Sequence, residues 1–223
     1  MRKQIVRIQS IQNITHDVLQ IVTEKPANFN FTPGQATEIS INKTGWKAEK
    51  RPFTFTSLPG SDFLEFTIKI YTSHKSVTNK LLDLKADDEL ILHEVFGEIE
   101  YKGEGTFIAG GAGVTPFICI LRDLRSKNKI GDNKLIFANN TKADIILAPE
   151  FKELLDDNFI NILSHDIIVG YEHGLITKEF LEKHITDTSK LVYLCGPPPM
   201  MDAVEKLLEK INVDKSLIVK EAF

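Results

Sequence analysis

The chain has 223 residues, of which 42% are hydrophobic, 26% charged and 9% aromatic; this is ordinary globular composition for one large or two compact domains. It excludes a disordered tail protein, a collagen and a disulfide scaffold. Lys and Arg number 27 against 31 Asp and Glu, a net charge of −4 with no basic run, so no nucleic-acid partner is expected.

The N-terminus, Met1-Arg2-Lys3-Gln4-Ile5, lacks the apolar core of a signal peptide. No apolar run approaches the ~18–20 residues of a membrane helix, so a cytoplasmic protein with no membrane contact is expected. Gln4–Gln12, Val18–Thr23, Thr37–Ile41, Phe53–Ser57, Phe63–Tyr71 and Glu89–His93 read as short strands, rich in Ile, Val, Thr and Phe. Turn signals separate them: Pro33-Gly34, Lys43-Thr44-Gly45 and Pro59-Gly60. One helix, Val77–Leu84, interrupts the series, with Ser76 or Thr78 available as its cap. The pattern predicts an antiparallel barrel or sandwich.

After Lys102-Gly103-Glu104-Gly105 strands and helices alternate. Strands are predicted at Thr106–Ala109, Lys134–Ala138, Phe159–Leu163, Leu191–Cys195 and Leu217–Lys220. Helices are predicted at Pro116–Arg125, Pro149–Leu155, Lys178–His184 and Pro199–Lys210. Such alternation predicts a doubly wound parallel sheet covered on both faces. The fold class is thus two-domain, with an antiparallel domain at 1–103 and an α/β domain at 104–223. The first has 13 basic and 13 acidic residues and the second 14 and 18, so the acidic excess lies wholly in the second.

Ile108-Ala109-Gly110-Gly111-Ala112-Gly113-Val114-Thr115-Pro116 carries a buried strand through three glycines into a helix. Glycines let backbone amides approach a ligand. Thr115 can cap the helix and Pro116 suits its first turn. Free amides and the helix dipole then favour a pyrophosphate. It is neither a Walker loop nor GxGxxG, and a tight strand–helix turn without a ligand reads the same way. Arg51-Pro52-Phe53-Thr54-Phe55-Thr56-Ser57 starts a strand on an arginine, with 51, 53, 55 and 57 facing one way and 52, 54 and 56 the other. An arginine fork suits phosphate; a surface arginine beside two core phenylalanines is the alternative.

Two cysteines, Cys119 and Cys195, are too few for a zinc or iron–sulfur site, and a reduced pair is expected. The six histidines show no HxxxH or HExxH spacing, so no metal is expected. Ser164-His165-Asp166 lacks the strained serine turn of a hydrolase. Cys195 is followed by Gly-Pro-Pro-Pro, which ends its strand at the carboxyl edge, where open α/β sheets bind ligands. A lone strand-end cysteine is also a common small core residue.

In order and spacing, Arg51-x-Phe53-Thr54-x-x-Ser57, Gly111-x-Gly113-x-x-Pro116 and Cys195-Gly196-Pro197-Pro198-Pro199-Met200 resemble the ferredoxin–NADP(+) reductase superfamily. Phe31-x-Pro33-Gly34-Gln35 and Lys75-x-Val77-Thr78-Asn79-x-Leu81 add to the match, which covers nearly the whole chain. The chain looks most like the short stand-alone flavodoxin or ferredoxin reductases. The resemblance implies a flavin barrel followed by a nicotinamide-nucleotide domain, with FAD and NADP(H) or NAD(H) as cofactors. Arg51 would clamp the flavin pyrophosphate, Phe53 would pack on the isoalloxazine and Thr54 would place a hydroxyl near N5. Thr78 would add a hydroxyl to the pyrophosphate, and Lys75 stands where the family often has glycine. Gly111, Gly113 and Thr115 would hold the nicotinamide nucleotide and Cys195 would lie beside its ring. Pro52, Val77, Gly110, Pro116, Asn140, Gly196 and Met200 complete the implied cofactor set.

The chain closes on Glu221-Ala222-Phe223. A terminal aromatic is often just frayed surface. The resemblance implies instead that Phe223 lids the flavin and that Glu221 is the acid near the nicotinamide, with Thr54 and Cys195 as the other reactive-site residues. Deleting Phe223 is then expected to tighten nucleotide binding and slow product release. Asn139, Asn140 and Lys142 after the second strand of the α/β domain favour NADP(H) over NAD(H), although Asp144 is close and no arginine is at hand.

The expected function is hydride transfer from nicotinamide to flavin and then single electrons to a flavodoxin or ferredoxin, by a monomer. With no iron–sulfur, haem or globin segment in the chain, an external acceptor is expected. Arg2, Lys3, Lys43, Lys47 and Lys50 are candidates for its basic docking rim, and Trp46 for a contact or a loop anchor. Two alternatives remain: a reductase for free flavin, ferric chelates or an oxygenase, and a nucleotide-binding module without turnover.

Overall fold

In the computed structural model residues 3–71 and 76–221 are described. The chain divides into two units, Met1–Glu100 with Thr115–Asp123 and Tyr101–Val114 with Leu124–Phe223.

In the first unit β1 (Gln4–Asn13), β2 (Val18–Glu24), β3 (Ala36–Ile41), β4 (Arg51–Thr54), β5 (Phe63–Lys69) and β6 (Glu89–Phe96) form an antiparallel sheet in the order β4-β3-β6-β1-β2-β5. Just past β4, Phe55 bridges to Phe66 of β5. The first and last strands therefore meet and the sheet closes into a barrel, which removes its exposed edges. Its interior is aliphatic and aromatic: Val6, Ile8, Ile21, Ile39, Leu64 and Leu92 are all buried there. Phe55 joins them, stacked on Phe31 at 4.2 Å and tilted against Phe66 at 5.3 Å. The expected helix is shorter than the periodicity suggests. Helix α1 spans Val77–Lys80 and tightens to a 3₁₀ turn at Leu81–Asp83. Ser76 is its cap, accepting from Asn79 N at 3.4 Å.

The strand predicted at 53–57 is displaced. β4 ends at Thr54, and residues 54–57 are all buried, so the expected alternation of faces stops there. Helix α2 (Thr115–Ser126) explains this within the unit. The Cys119 thiol donates to Ser57 O at 3.0 Å and Arg122 Nη1 to Thr56 O at 2.7 Å. Arg122 also meets Glu65 Oε1 at 2.6 Å, whose second oxygen accepts from Gln20 Nε2 at 2.9 Å.

In the second unit β7 (Gly105–Gly110), β8 (Lys134–Asn139), β9 (Phe159–Leu163), β10 (Glu172–His173), β11 (Leu191–Cys195) and β12 (Ile218–Lys220) form a sheet in the order β10-β9-β8-β7-β11-β12, parallel throughout. Ile108, Ile136 and Leu194 pack on one face against α4 (Lys178–His184) and α5 (Pro198–Lys210). Phe137 meets Phe151 of α3 (Ala148–Leu155) edge-on at 6.2 Å on the other face. This is the doubly wound arrangement expected from the alternation. At two residues, β10 is too short to leave a sequence pattern.

Candidate functional site

In the second unit the chain leaves β7 toward β8 on one side, while β11 lies on the other. That reversal of strand order is where open α/β sheets take ligands. Cys195 ends β11 beside Ala109, one residue before the end of β7. The glycine run and the Cys-Gly-Pro-Pro-Pro-Met run, about 85 residues apart in the chain, thus become neighbours. A Cβ on Gly113 would collide with the Cys195 carbonyl, and one on Gly110 with Met200 Sδ. A Cβ on Gly196 would lie 3.1 Å from Met200 Sδ and 3.2 Å from Gly110 N. Gly113 is needed because two backbones touch, whereas at Gly110 the Met200 side chain takes the space and at Gly196 both Met200 and the Gly110 backbone are close.

Gly111 is different. Its φ of +51° is left-handed and a Cβ there would meet nothing within 4 Å. Backbone without side-chain cover at the head of a strand–helix turn is what a pyrophosphate needs. Gly111–Val114 form a 3₁₀ turn that runs directly into α2. Thr115 is the first helical residue rather than its cap, and Pro116 the second.

Cys195 is 1% exposed, and burial raises its thiol to about pKa 12, with the Glu221 carboxylate adding to the shift. Glu221 is half-buried with Oε2 shielded from water. At the end of β8, Asn140 Oδ1 accepts from Ser164 Oγ at 3.1 Å and Asn140 O from His165 N at 2.9 Å. Next to it Asn139 is 9% exposed, and neither atom of its side-chain amide has a hydrogen-bond partner among the described residues.

In the first unit β4 presents Arg51 and Pro52 to solvent, with Phe53 half-buried against the barrel core. Arg51 Nη1 donates to Lys50 O at 2.6 Å. Thr54 is buried, and the Thr115 hydroxyl donates to Thr54 Oγ1 at 3.4 Å. Val77 is buried beneath α1, and the Thr78 hydroxyl lies 2.8 Å from Ser76 Oγ. Lys75 and Phe223, and with them Arg2, lie outside the described residues.

The expected basic rim is partly neutralised. Lys43 pairs with Asp88 at 2.9 Å and Lys50 with Glu38 at 2.8 Å. Trp46 is a loop anchor: it packs on the barrel core with Lys80 Nζ 6.0 Å from its ring. Sequence reasoning missed the Glu65–Arg122 pair, although an acid inside the apolar strand 63–69 was a visible signal. It named Asn139 and Asp166 but not the burial of the one or the contact of the other with Lys142 N, both of which are non-local.

Residues 3–104 match the FAD-binding domain family and residues 107–206 the oxidoreductase NAD-binding domain family. The chain belongs to the ferredoxin–NADP(+) reductase superfamily. Among curated relatives it is 31% identical over 237 residues to the propane 2-monooxygenase reductase component of Mycolicibacterium smegmatis, covering 97% of this chain and 66% of that one. It is 26% identical to the NADH oxidoreductase HCR of Escherichia coli, covering 96% of this chain and 66% of that one. The chain therefore spans about two thirds of the length of these relatives. The FAD/NAD-binding domain of nitric oxide dioxygenase from Vibrio cholerae superposes with a TM-score of 0.88 at 22% identity, covering 99% of this chain and 98% of that one. A ferredoxin NADP+ reductase from Neisseria gonorrhoeae with bound FAD and NADP gives 0.86 at 16%, with the same coverage. At these identities the superpositions establish the superfamily's two-domain fold. No helix among the described residues is long and apolar enough to cross a membrane.

Proposed function

We propose that the chain is an FAD-dependent NAD(P)H oxidoreductase that moves a hydride from nicotinamide to flavin and passes electrons singly to a separate acceptor. The observation that carries this is the pairing, in one chain, of an arginine-bearing barrel strand with an open glycine turn at a strand-order reversal. We assign residues 1–103 to flavin and 104–223 to the nucleotide.

The donor sets fit both groups. The exposed Arg51 guanidinium can turn from the Lys50 carbonyl to a diphosphate, with the Thr78 hydroxyl beside the α1 cap as a second donor. Phe53, on the same side of β4 as Arg51, gives the ring system an apolar floor; Pro52 is assigned to the cofactor from the strand's other side, where Thr54 holds a hydroxyl at a buried point. Val77 is buried beneath the Thr78 donor, and Lys75 is assigned to the same cofactor by the resemblance alone. Bound FAD supplies an acceptor for a hydride pair that can be released one electron at a time. On the nucleotide side, Gly110, Gly111 and Gly113 offer backbone amides, and Thr115 and Pro116 start the helix behind them. Gly196 and Met200 close the other wall. The Cys195 thiol, at about pKa 12, stays protonated and lines the site as a neutral group rather than a nucleophile. Glu221 supplies a carboxylate whose charge reaches it, and Phe223 is assigned to the reactive end by the resemblance alone.

A flavodoxin or ferredoxin is the acceptor we favour, taken up by a monomer in the cytoplasm, where two free thiols stay reduced. An oxygenase component is a second reading. It is favoured by relatives named as the reductase components of propane 2-monooxygenase and glycine betaine monooxygenase.

The test is the visible spectrum of the purified protein. A two-banded flavin spectrum that bleaches on anaerobic addition of NADH or NADPH is expected. A colourless protein that takes up no added FAD overturns the proposal.

A further inference from the structure

The chain leaving β4 is held by a helix as well as by strands. Phe55 N donates to Gln35 O at 3.1 Å and Thr56 N to Glu65 O at 2.8 Å, but the carbonyls of Thr56 and Ser57 are taken by α2. Arg122 Nη1 donates to Thr56 O at 2.7 Å and the Cys119 thiol to Ser57 O at 3.0 Å. One turn nearer the start of the helix, the Thr115 hydroxyl donates to Thr54 Oγ1 at 3.4 Å. Residues 115, 119 and 122 are spaced i, i+4, i+7 and so share one face of α2. Thr115–Asp123 groups with the barrel. That face therefore holds Thr54, Thr56 and Ser57, all of them buried.

Arg122 is aimed by a polar lining on the outer side of β5. Leu64, Phe66 and Ile68 belong to the barrel core, so Glu65 and Thr67 alternate to the other face. Glu65 Oε1 accepts from Arg122 Nη1 at 2.6 Å and from Thr56 Oγ1 at 2.7 Å, and its second oxygen accepts from Gln20 Nε2 at 2.9 Å. Thr67 Oγ1 donates to Thr56 Oγ1 at 3.3 Å. Glu65, Thr56 and Thr67 are buried, and Gln20 and Arg122 half-buried. Well-packed apolar groups in place of a buried ion pair are often as stable or more so, so stability alone gives no reason for this pair. Its geometry does. One guanidinium nitrogen bonds both a carboxylate of the barrel wall and a backbone carbonyl two residues after Thr54, and so fixes the second against the first.

We propose that Arg122 is a positioning residue for the flavin: through Thr56 O it sets where Thr54 presents its hydroxyl, and Glu65 holds it in that pose. The inference rests on the flavin reading of β4 given above. Arg122 acts through the backbone, so it is not a catalytic residue. A displacement of about 1 Å in a reacting site can cost on the order of 10²-fold in rate. The effect is therefore expected in the reduction step and not in nucleotide affinity.

The test compares Arg122→Met, Arg122→Lys and the double variant Glu65→Gln with Arg122→Met, each at saturating FAD. Four quantities are read: the urea unfolding midpoint, the visible flavin spectrum, the calorimetric affinity for ADP-ribose, and the anaerobic reduction rate at saturating NADH or NADPH, whichever reduces the wild type faster. Glu65→Gln removes the stranded charge and keeps an acceptor for Thr56 and Gln20. The double variant is expected to regain most of the unfolding midpoint lost in Arg122→Met. It is expected to remain about tenfold or more slower in reduction, with a shifted flavin band and with ADP-ribose affinity within about twofold of the wild type. Arg122→Lys keeps a charged donor and is expected to recover most of the rate. A wild-type reduction rate in the double variant overturns the proposal, whatever its stability. So does a loss of rate matched by a loss of ADP-ribose affinity, which puts the effect of Arg122 on the nucleotide. If the wild type itself takes up no FAD, the oxidoreductase reading falls and takes this inference with it.

Discussion

At the ends of β7 and β11 the backbone is packed so closely that Gly113 has no room for a methyl group, and the Met200 side chain fills the space beside Gly110 and Gly196. At β4 of the barrel, by contrast, Arg51 and Pro52 stand in solvent, and the arginine is held by the carbonyl of its own neighbour. On the proposed function both regions take phosphate, by different means. The glycine turn offers fixed amides that lose no side-chain freedom when a ligand arrives. The barrel offers an exposed guanidinium, and ordering such a side chain on a ligand costs up to ~2 kcal/mol of rotamer entropy. A preformed cradle suits a coenzyme that comes and goes at every turnover. A side-chain clamp that closes over its ligand suits a cofactor that stays.

On this view β4 must be rigid from behind, because its outer side chains are not. The buried Arg122–Glu65 pair supplies that backing. The Glu65 side chain is 10% exposed and the Arg122 side chain 20%, and Thr56 Oγ1 also donates to Glu65 Oε1 at 2.7 Å. Arg122→Met leaves a buried carboxylate without its cation. It is expected to cost about 3 kcal/mol in denaturant unfolding and to weaken FAD retention. A loss of stability at the level of a surface ion pair, below about 1 kcal/mol, would break the comparison from the barrel side.

Two glycines in one turn sharpen it from the other side. Gly113→Ala drives a methyl into the Cys195 carbonyl. It is expected to cost about 1–3 kcal/mol and to weaken nucleotide binding strongly, because the strand ends must part. Gly111→Ala meets open space and keeps only the left-handed strain, about 1 kcal/mol. Calorimetric titration with ADP-ribose and thermal melting of both variants check this. Equal losses in the two would mean that close packing is not what makes the cradle rigid.

Much of this was legible because it is local. The β and α periods, the turn signals and the glycine run each lie within a dozen residues, so an antiparallel barrel or sandwich and the doubly wound sheet could be read directly, while the choice of barrel came from the resemblance. The orientation of residues 51–57 could not. Alternation assumes one solvated face, and here the chain leaves the ladder after Thr54, bridges to Phe66 through Phe55 and is covered by α2. The charge at the end of β8 was hidden for a related reason. Lys142 is visible in the loop, but the acid that holds its amide is 24 positions away. Glu65 and Arg122 are 57 apart. Charge neutralisation depends on the partner, and the partner is set by topology.

A smaller effect is expected where the linking segment is tied to the second unit. The Tyr193 hydroxyl donates to Gly103 O at 2.7 Å and accepts from Lys102 N at 2.9 Å and Gly103 N at 3.1 Å. The ring is stacked on Phe107 at 4.3 Å. Tyr193→Phe keeps the stack and removes the hydrogen bonds. The expected cost is about 1 kcal/mol, read by urea unfolding, with hydrogen exchange faster at Lys102 and Gly103. A stability loss with unchanged exchange at those two amides would place the hydroxyl's role elsewhere.

The smallest effect separates the two units by pH. Among the described residues each holds one histidine whose pKa burial lowers: His93 in the barrel, with Nε2 3.0 Å from Ser40 Oγ, and His184 in the α/β unit. Lys50 and Lys3 lower His93 further and Glu38 opposes them; Lys183 lowers His184 further and Glu172 opposes it. A histidine kept neutral in the fold takes its proton more readily when unfolded. The stabilisation is therefore complete above the unfolded value of about 6.5 and is lost as pH falls below it. Asp88, held low chiefly by its hydrogen bond from Lys43, adds its own loss only near pH 4 and below, about the ordinary aspartate value. Unfolding free energy is thus expected to decline between about pH 7.5 and pH 5.5, before any carboxylate contributes. His93→Gln is expected to flatten the decline followed by a barrel probe, and His184→Gln the one followed by a probe in the α/β unit. If one substitution flattened both probes equally, the units would unfold as one, and the contrast between clamp and cradle would be a difference of design within a single cooperative structure.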